Sequence, residues 1–343
     1  MQNKVTKAGD LLDENGHLIE VGYSTKLIKT YDRKKIKAGK LRIKEWDYYL
    51  IYNDDYAVAI TIDDNSYMGL NSISLIDFKN KCETTQSPMR FMTLGKTNLP
   101  ATSKFGDSKY ENKNYKIEIK NDGKTRNIEI RYNKFKDGKD LFAKFKLDKE
   151  PKDSMVIITP FKEKKTAFYD NQKIVGMRAE GYLTLGEERI EFDNTTRAIL
   201  DWGRGVWTYK NTWYWGAGCG VVDGHEVGFN IGYGFGDTSA ASENMIFYDG
   251  KAHKLEEVTF NIPKDEKGRE DYMSPWTFTS SDKRFEMKFT PIIDRHSNAN
   301  VVIISSNQHQ VFGKFTGTIV LDDGTKAKLK NFTAFAEKVM NKW

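Results

Sequence analysis

Along much of the chain apolar and polar residues alternate one by one, the period of a strand with one buried face. Tyr115-Lys-Ile-Glu-Ile-Lys120 and Asn127-Ile-Glu-Ile-Arg131 flank Asn121-Asp122-Gly123-Lys124, a turn with a residue that tolerates positive φ, and together predict a β-hairpin. Similar strand-plus-turn units recur at 47–51, 56–62, 142–147, 155–159, 181–185, 284–289, 301–305 and 312–321, the last running into Asp322-Asp323-Gly324. Short strands at this spacing, without the long helical crossovers that parallel sheets require, predict an all-β, antiparallel sandwich or barrel. Residues 39–44 and 102–114 read as loops. After Asn331 the period is ambiguous: Phe332, Phe335, Ala336, Val339, Met340 and Trp343 fall on one helical face, yet a closing strand fits too.

Residues 201–250 break the general pattern, holding four of the seven Trp and eleven of the 27 Gly. Alternation puts Trp213, Trp215, Ala217, Cys219 and Val221 on one face of a strand and Tyr214, Gly216, Gly218 and Gly220 on the other. After the turn at Val222-Asp223-Gly224-His225, it puts Val227, Phe229, Ile231, Tyr233 and Phe235 opposite Gly228, Asn230, Gly232, Gly234 and Gly236. Glycine in a strand loses entropy and packs nothing, so something must approach that bare face closely. Another element of the fold would do so, and so would a flat or elongated apolar ligand inside an aromatic-walled barrel. Just upstream, the apolar run Ala198-Ile199-Leu200 leads into Asp201-Trp202-Gly203-Arg204-Gly205-Val206-Trp207. A carboxylate at the end of an apolar strand is a candidate proton donor, with a raised pKa. The plainer reading is an Asp201–Arg204 pair fixing a glycine-flanked turn.

Composition narrows the alternatives. A chain of 343 residues favours two domains and can bury a full core without disulfides or a structural metal. With 54 Lys and Arg against 48 Asp and Glu, interspersed, it offers no dense basic stripe for nucleic acid. No uncharged apolar run approaches ~20 residues, which argues against an integral membrane segment. The opening MQNKVTKAGDLLDENGH lacks the apolar centre of a signal peptide, and Cys82 and Cys219 make no disulfide framework, so the cytoplasm is expected. The histidines at 17, 225, 253, 296 and 309 show no metal-ligand spacing, and no Gly-x-Ser-x-Gly elbow, Rossmann or P-loop pattern appears. No cofactor is therefore expected. His309, within Asn307-Gln308-His309-Gln310-Val311-Phe312-Gly313, is a candidate proton carrier or a loop-orienting histidine. Glu243 and Glu337 are further acids embedded in apolar sequence.

The ordered motifs DWGRGVW, WYWGAGCG, GFNIGYG, SENMIFYDGKAHKL, SPWTF, FTPIIDRH, NQHQVFGKFTG and FAEKV, with LLDENGHLIEVGYSTK and KEWDYYLI near the start, cover nearly the whole chain. In these the sequence resembles the domain of unknown function 2804 family. More distantly it is similar to the two-domain lipocalin-like proteins that include carotenoid hydratases and tocopherol cyclases. The shared order is Gly181-Tyr-Leu-Thr-Leu185, Ile199-Leu-Asp201-Trp202, the aromatic strand 213–221 and Asp223-Gly224. That likeness implies two lipocalin-like barrel or half-barrel domains in tandem with few helices, divided as 1–205 and 206–343, around apolar pockets. It also matches Asp201 to the relatives' acidic residue, although Trp202 stands where an Asp–His pair would need histidine.

The expectation is a protein that binds a hydrophobic small molecule of isoprenoid or acyl type, with or without acid-catalysed hydration, cyclisation or isomerisation. Asp201 would protonate the substrate and His309 would carry protons. Trp202, Trp207, Trp213, Trp215, Tyr233 and Glu243 would contact the ligand, and Arg204 would orient Asp201 or hold a polar head group. A non-catalytic carrier and a ligand-free scaffold remain the alternatives.

Overall fold

The computed structural model describes residues 2–301 and 304–342. Among them, helical backbone is confined to two single 3-10 turns, Arg33–Lys35 and Lys40–Arg42, and almost everything else that is ordered is antiparallel β-sheet. No helix of the described residues is long and apolar enough to cross a membrane. The all-β, barrel-like class follows directly from the alternation in the sequence.

Two large sheets divide the chain. The first, of fourteen strands among the described residues, is built from Gly22 to Val206. Its main run places side by side Cys82–Gln86, Met68–Asp77, Tyr56–Asp64, Ile43–Tyr52, Arg197–Val206, Phe168–Leu185, Lys139–Asp148, Arg126–Lys136, Tyr115–Asn121 and Ser108–Glu111. The second, of nine strands among the described residues, begins at Lys210 and runs Lys251–Lys254, Met245–Tyr248, His225–Tyr233, Lys210–Val222, Lys326–Lys342, Ile304–Val320, Phe285–Val301, Trp276–Ser280 and Val258–Asn261. The hairpin expected at 115–131 forms with Tyr115 opposite Tyr132 and Asn121 opposite Arg126.

Several local expectations change. The stretch after Asn331 is strand, not helix: Phe335 packs into the core between the sheets while Ala334 and Ala336 pack into the second sheet's own core. A strand buried on both faces loses the clean alternation that marks a half-buried one, which explains the ambiguity. Trp343, also placed on that helical face, lies outside the described residues. Ile43 and Lys44 open a strand rather than closing a loop, and Ser108–Glu111 pairs with the 115–121 strand. Of the strand expected at 301–305, residues 302 and 303 lie outside the described residues; Val301 ends one strand and Ile304 begins the next.

The glycine-rich pair explains how the two sheets can share a boundary. In the register of Lys210–Val222 with His225–Tyr233, Trp215 faces Gly232, Ala217 faces Asn230 and Cys219 faces Gly228. On the reverse side Gly216 faces Ile231, Gly218 faces Phe229 and Gly220 faces Val227. Between 215 and 220 each bulky residue thus sits beside a smaller one, and neither face is bare. A Cβ on Gly218 would lie 2.4 Å from the Ala334 Cβ, and one on Gly228 would lie 2.9 Å from Val175. The close approach inferred for the glycines is therefore made by protein: their own sheet's core on one side, and the first sheet on the other. Phe235 departs from its expected face because Gly234, at φ +92°, turns the chain there.

Arg197–Val206 is a continuous strand, so the expected turn at Asp201–Arg204 does not exist. Residues three apart on a strand point to opposite faces, and the Asp201–Arg204 pair cannot form. Within this strand Gly203 stands opposite Trp46, whose indole lies on its backbone: an added Cβ would fall 1.9 Å from the ring. Gly203→Ala should therefore displace Trp46 and destabilise the fold by about 1–3 kcal/mol. Gly39→Ala, where no atom lies within 4 Å of the new Cβ, should change stability by less than about 0.5 kcal/mol. Urea denaturation of both variants checks this, and equal midpoints would contradict it.

Candidate functional site

The inner faces of the two sheets line a cavity of about 380 Å³ that is open to solvent on one side. Cross-strand register generates its walls. On the first sheet Lys173 pairs with Asp201, Asp201 with Tyr48, Tyr48 with Thr61 and Thr61 with Ser72. Paired residues share a face, so these five form one row across five strands, and all five line the cavity. On the second sheet Trp215 pairs with Glu337, Glu337 with Gln310 and Gln310 with Arg295. This second row also lines the cavity.

The rows meet around one ammonium group. Lys173 Nζ lies 2.7 Å from Asp201 Oδ2 and 3.8 Å from the centre of the Trp215 ring. Asn171 Nδ2 donates to the other Asp201 oxygen at 2.6 Å. The Tyr48 and Trp215 rings meet edge-to-face at 5.9 Å. Glu337 accepts from Trp213 Nε1 at 3.1 Å and from Gln310 Nε2 at 3.0 Å. Asn230 carries the network onward, accepting from Trp215 Nε1 at 2.8 Å and donating to the Glu243 backbone carbonyl at 2.8 Å.

Asp201, Glu243 and Glu337 thus lie on the cavity wall with Lys173 and Arg295, and Asp63 and Glu83 line it as well. Burial pushes Glu337 up to about 7, against the opposing effects of the Trp213 hydrogen bond and of Lys173 and Arg295. Burial also raises Glu243, again opposed by Lys173. Asp63, on the wall near the far end of the first sheet, is raised by burial to about 7. The cavity therefore holds carboxyl groups that keep a proton close to neutral pH, beside aromatic walls formed by Trp46, Tyr169, Trp207, Trp213, Trp215 and Phe235. Trp207 and Phe235 pack edge-to-face at 4.8 Å, and Trp213 and Phe235 do so at 5.2 Å.

The structure brings together Asp201, Trp207, Trp213, Trp215, Glu243 and Glu337 of the residues singled out from sequence. Trp202 and Arg204 lie on the reverse face of their strand. Trp202 is buried against Tyr31, and the fully buried Arg204 pairs with Asp47 at 3.0 Å and donates to the Trp46 and Pro100 carbonyls. Arg204 is thus a structural pin, not a partner of Asp201. Tyr233 stacks on Tyr214 at 4.5 Å beside the second sheet's own core. His309 sits between Gln308 and Gln310, both of which line the cavity, so alternation turns it away. It binds Asp294 Oδ2 at 2.7 Å and stacks on Tyr272 at 3.8 Å. Lys173, Asn171, Tyr48, Gln308, Gln310 and Arg295 were not singled out. Their only signal in the sequence is a polar residue interrupting an apolar strand, and many exposed positions share it.

The profile of the domain of unknown function 2804 family matches residues 2–343. The chain belongs to that family. This family member has no significant sequence match among functionally curated proteins. Among solved structures it is similar to an AttH candidate from Nitrosomonas europaea, with a TM-score of 0.53, 11% identity, and coverage of 92% of this chain and 97% of that one. Lower scores relate it to kievitone hydratase from Nectria haematococca (TM-score 0.48, 11% identity, 88% of each chain). CghA with Sch210972 scores 0.49, at 10% identity over 97% of this chain and 96% of that one. At these identities the first likeness speaks for the fold alone.

Removing one partner of a buried ion pair strands the other charge. Lys173→Met should cost about 3–5 kcal/mol of stability, and Lys173→Met with Asp201→Leu should recover most of it. Chemical denaturation of the single and double variants checks this, and a single variant as stable as the wild type would refute it. Glu337 carries a pH signature of opposite sign to an ordinary paired acid. Because its folded pKa lies above the usual carboxylate value, the folded state holds the extra proton, so stability falls as pH rises towards about 7. Glu337→Gln should remove that slope and gain up to about 3 kcal/mol at pH 8 relative to wild type. Melting temperatures of both proteins from pH 5 to 8, flanking that about-7 value, measure it.

Proposed function

We propose that the protein binds an apolar small molecule of isoprenoid or acyl type in the cavity between the sheets, and that Glu337 is the acid that acts on it. The observation that carries this reading is a carboxyl group poised near neutrality inside an indole-walled cavity. Glu337 would deliver its proton to a C=C bond or carbonyl of the bound molecule and become a carboxylate. The cation formed would lie among the aromatic side chains of the wall other than Trp215, whose ring already carries the Lys173 ammonium. Addition of water, ring closure or loss of a neighbouring proton would then resolve it, and the proton released would return to Glu337. Asp201, engaged by Lys173 and Asn171, is assigned to holding the ammonium in place rather than to proton donation. His309 takes no part in this scheme because it faces away from the cavity.

A carrier without catalysis is the second reading. It is favoured by the hydrogen bonds that both Glu337 oxygens already accept, from Trp213 on one and from Gln308 and Gln310 on the other. Two measurements separate the cases. Titrating tryptophan fluorescence with retinoids, fatty acids and terpenoids should give saturable quenching by at least one class, and no response to any of them would defeat both readings. With the best ligand, Glu337→Gln should retain binding within about threefold and lower turnover at least about a hundredfold. Binding without turnover in the wild type would select the carrier.

A further inference from the structure

The edge of the first sheet that borders the cavity carries several exposed apolar side chains close together in sequence. Strand Met89–Phe91 pairs with Met68–Asp77 so that Leu70 stands opposite Met89 and Met68 opposite Phe91. Leu70 lines the cavity, and paired side chains share a face, so Met89 continues the cavity wall outward. Met89, Met92 and Leu94 are exposed, and Phe91 is 77% exposed. Contiguous exposed apolar side chains of this size mark an interaction surface more often than scattered ones do.

The loop that presents them is firmly held. Asp64 accepts from the Gly95 amide at 2.9 Å, from Thr93 Oγ1 at 2.7 Å and from Thr97 Oγ1 at 2.8 Å. Burial works against its charge, but these hydrogen bonds keep its carboxyl below the ordinary value. Met92 and Leu94 are held at φ 55° and 49°, a left-handed backbone that non-glycine residues adopt at a cost. The apolar residues are thus displayed by a built scaffold.

A basic segment lies beside this loop. Residues 33–42, RKKIKAGKLR, contain Arg33, Lys34, Lys35, Lys37, Lys40 and Arg42 and no acid. Arg33 donates to Ser66 Oγ at 3.1 Å, the Leu94 amide donates to the Ser66 carbonyl at 2.9 Å, and the Gly95 backbone abuts the Arg33 guanidinium. Lys34, Lys37 and Lys40 are exposed, as is Leu41 among them.

We propose that this collar docks the protein onto an anionic lipid bilayer, with Phe91, Met92 and their neighbours entering the interface and the basic run meeting the lipid headgroups. Its use, exchange of an apolar ligand between cavity and membrane, rests on the proposed function; the docking itself does not. An apolar patch alone would suit a partner protein equally. Arg33 is paired with Glu45 and Lys35 with Asp10, so the charge offered beside the patch is that of the exposed Lys34, Lys37 and Lys40, and it favours a negatively charged surface that is apolar underneath.

Flotation of the full-length protein with vesicles of phosphatidylcholine alone, and of phosphatidylcholine mixed with phosphatidylserine, tests it. The expected result is binding to the mixed vesicles at least about tenfold stronger than to the neutral ones, weakening as salt is added. Phe91→Asp with Met92→Asp should lower that binding about tenfold or more. Lys34→Glu with Lys37→Glu and Lys40→Glu should abolish the preference for phosphatidylserine. Both variants should keep the wild-type fluorescence response to cavity ligands, which separates failure of docking from failure of the cavity. Absence of vesicle binding, or variants that bind like the wild type, would overturn the proposal. So would self-association or protein capture lost in the Phe91 and Met92 variant without any vesicle binding.

Discussion

One ammonium group balances the space between the sheets. Lys173 Nζ is the nearest cation to Asp201, sits against the Trp215 ring, and acts electrostatically on Glu243 and Glu337. Lys173, helped by Arg295 at Glu337 and by Lys254 at Glu243, does not outweigh the burial of the two glutamates in a low-dielectric wall. The contact partner of Lys173 is Asp201, and at the glutamates burial prevails. The chemistry assigned to Glu337 is thus a consequence of charge imbalance.

That imbalance is tolerable because the polar groups are arranged in rows. Asn171, Asn230, Gln308 and Gln310 supply amide donors where a carboxylate would otherwise lie unpaired, and Trp213 and Trp215 add indole N–H groups from the aromatic wall itself. Burial of so many polar side chains between two sheets is costly unless each is paired. Further ties clamp the sheets around the cavity. The Tyr52 hydroxyl accepts from the Cys219 amide at 2.6 Å and donates to its carbonyl at 3.0 Å, Arg197 forks onto Glu226, and Arg295 donates to Ser74 Oγ. Cys219 itself, with its thiol pushed up to about 12 by burial, serves packing rather than reactivity.

The same arrangement assigns different tasks to adjacent residues. Asp201 looks into the cavity, whereas Trp202 and Arg204, one and three positions on, hold the reverse face of the sheet. Gln308 and Gln310 face Glu337, whereas His309 between them stacks outside. Proximity in sequence to a reactive group is therefore a poor guide in an all-β wall, and parity along the strand is a good one.

Parity is what the sequence by itself determined. Alternation established the all-β class, the 115–131 hairpin, the shared face of Trp213 and Trp215, and the bulky-against-glycine division of residues 213–233. It also contained the argument that separates Asp201 from Arg204, once 197–206 is taken as strand rather than turn. Tertiary structure alone decided which strands stand side by side and in what register. The row Lys173, Asp201, Tyr48, Thr61 and Ser72 draws on five strands, and the row Trp215, Glu337, Gln310 and Arg295 on four; their partners are up to 153 positions apart, as between Asp201 and Tyr48. Pairing is set by which apolar faces the whole chain can bury together, a collective property that no local period records. For that reason the aromatic wall was legible from the chain, while the lysine that governs its acids was not.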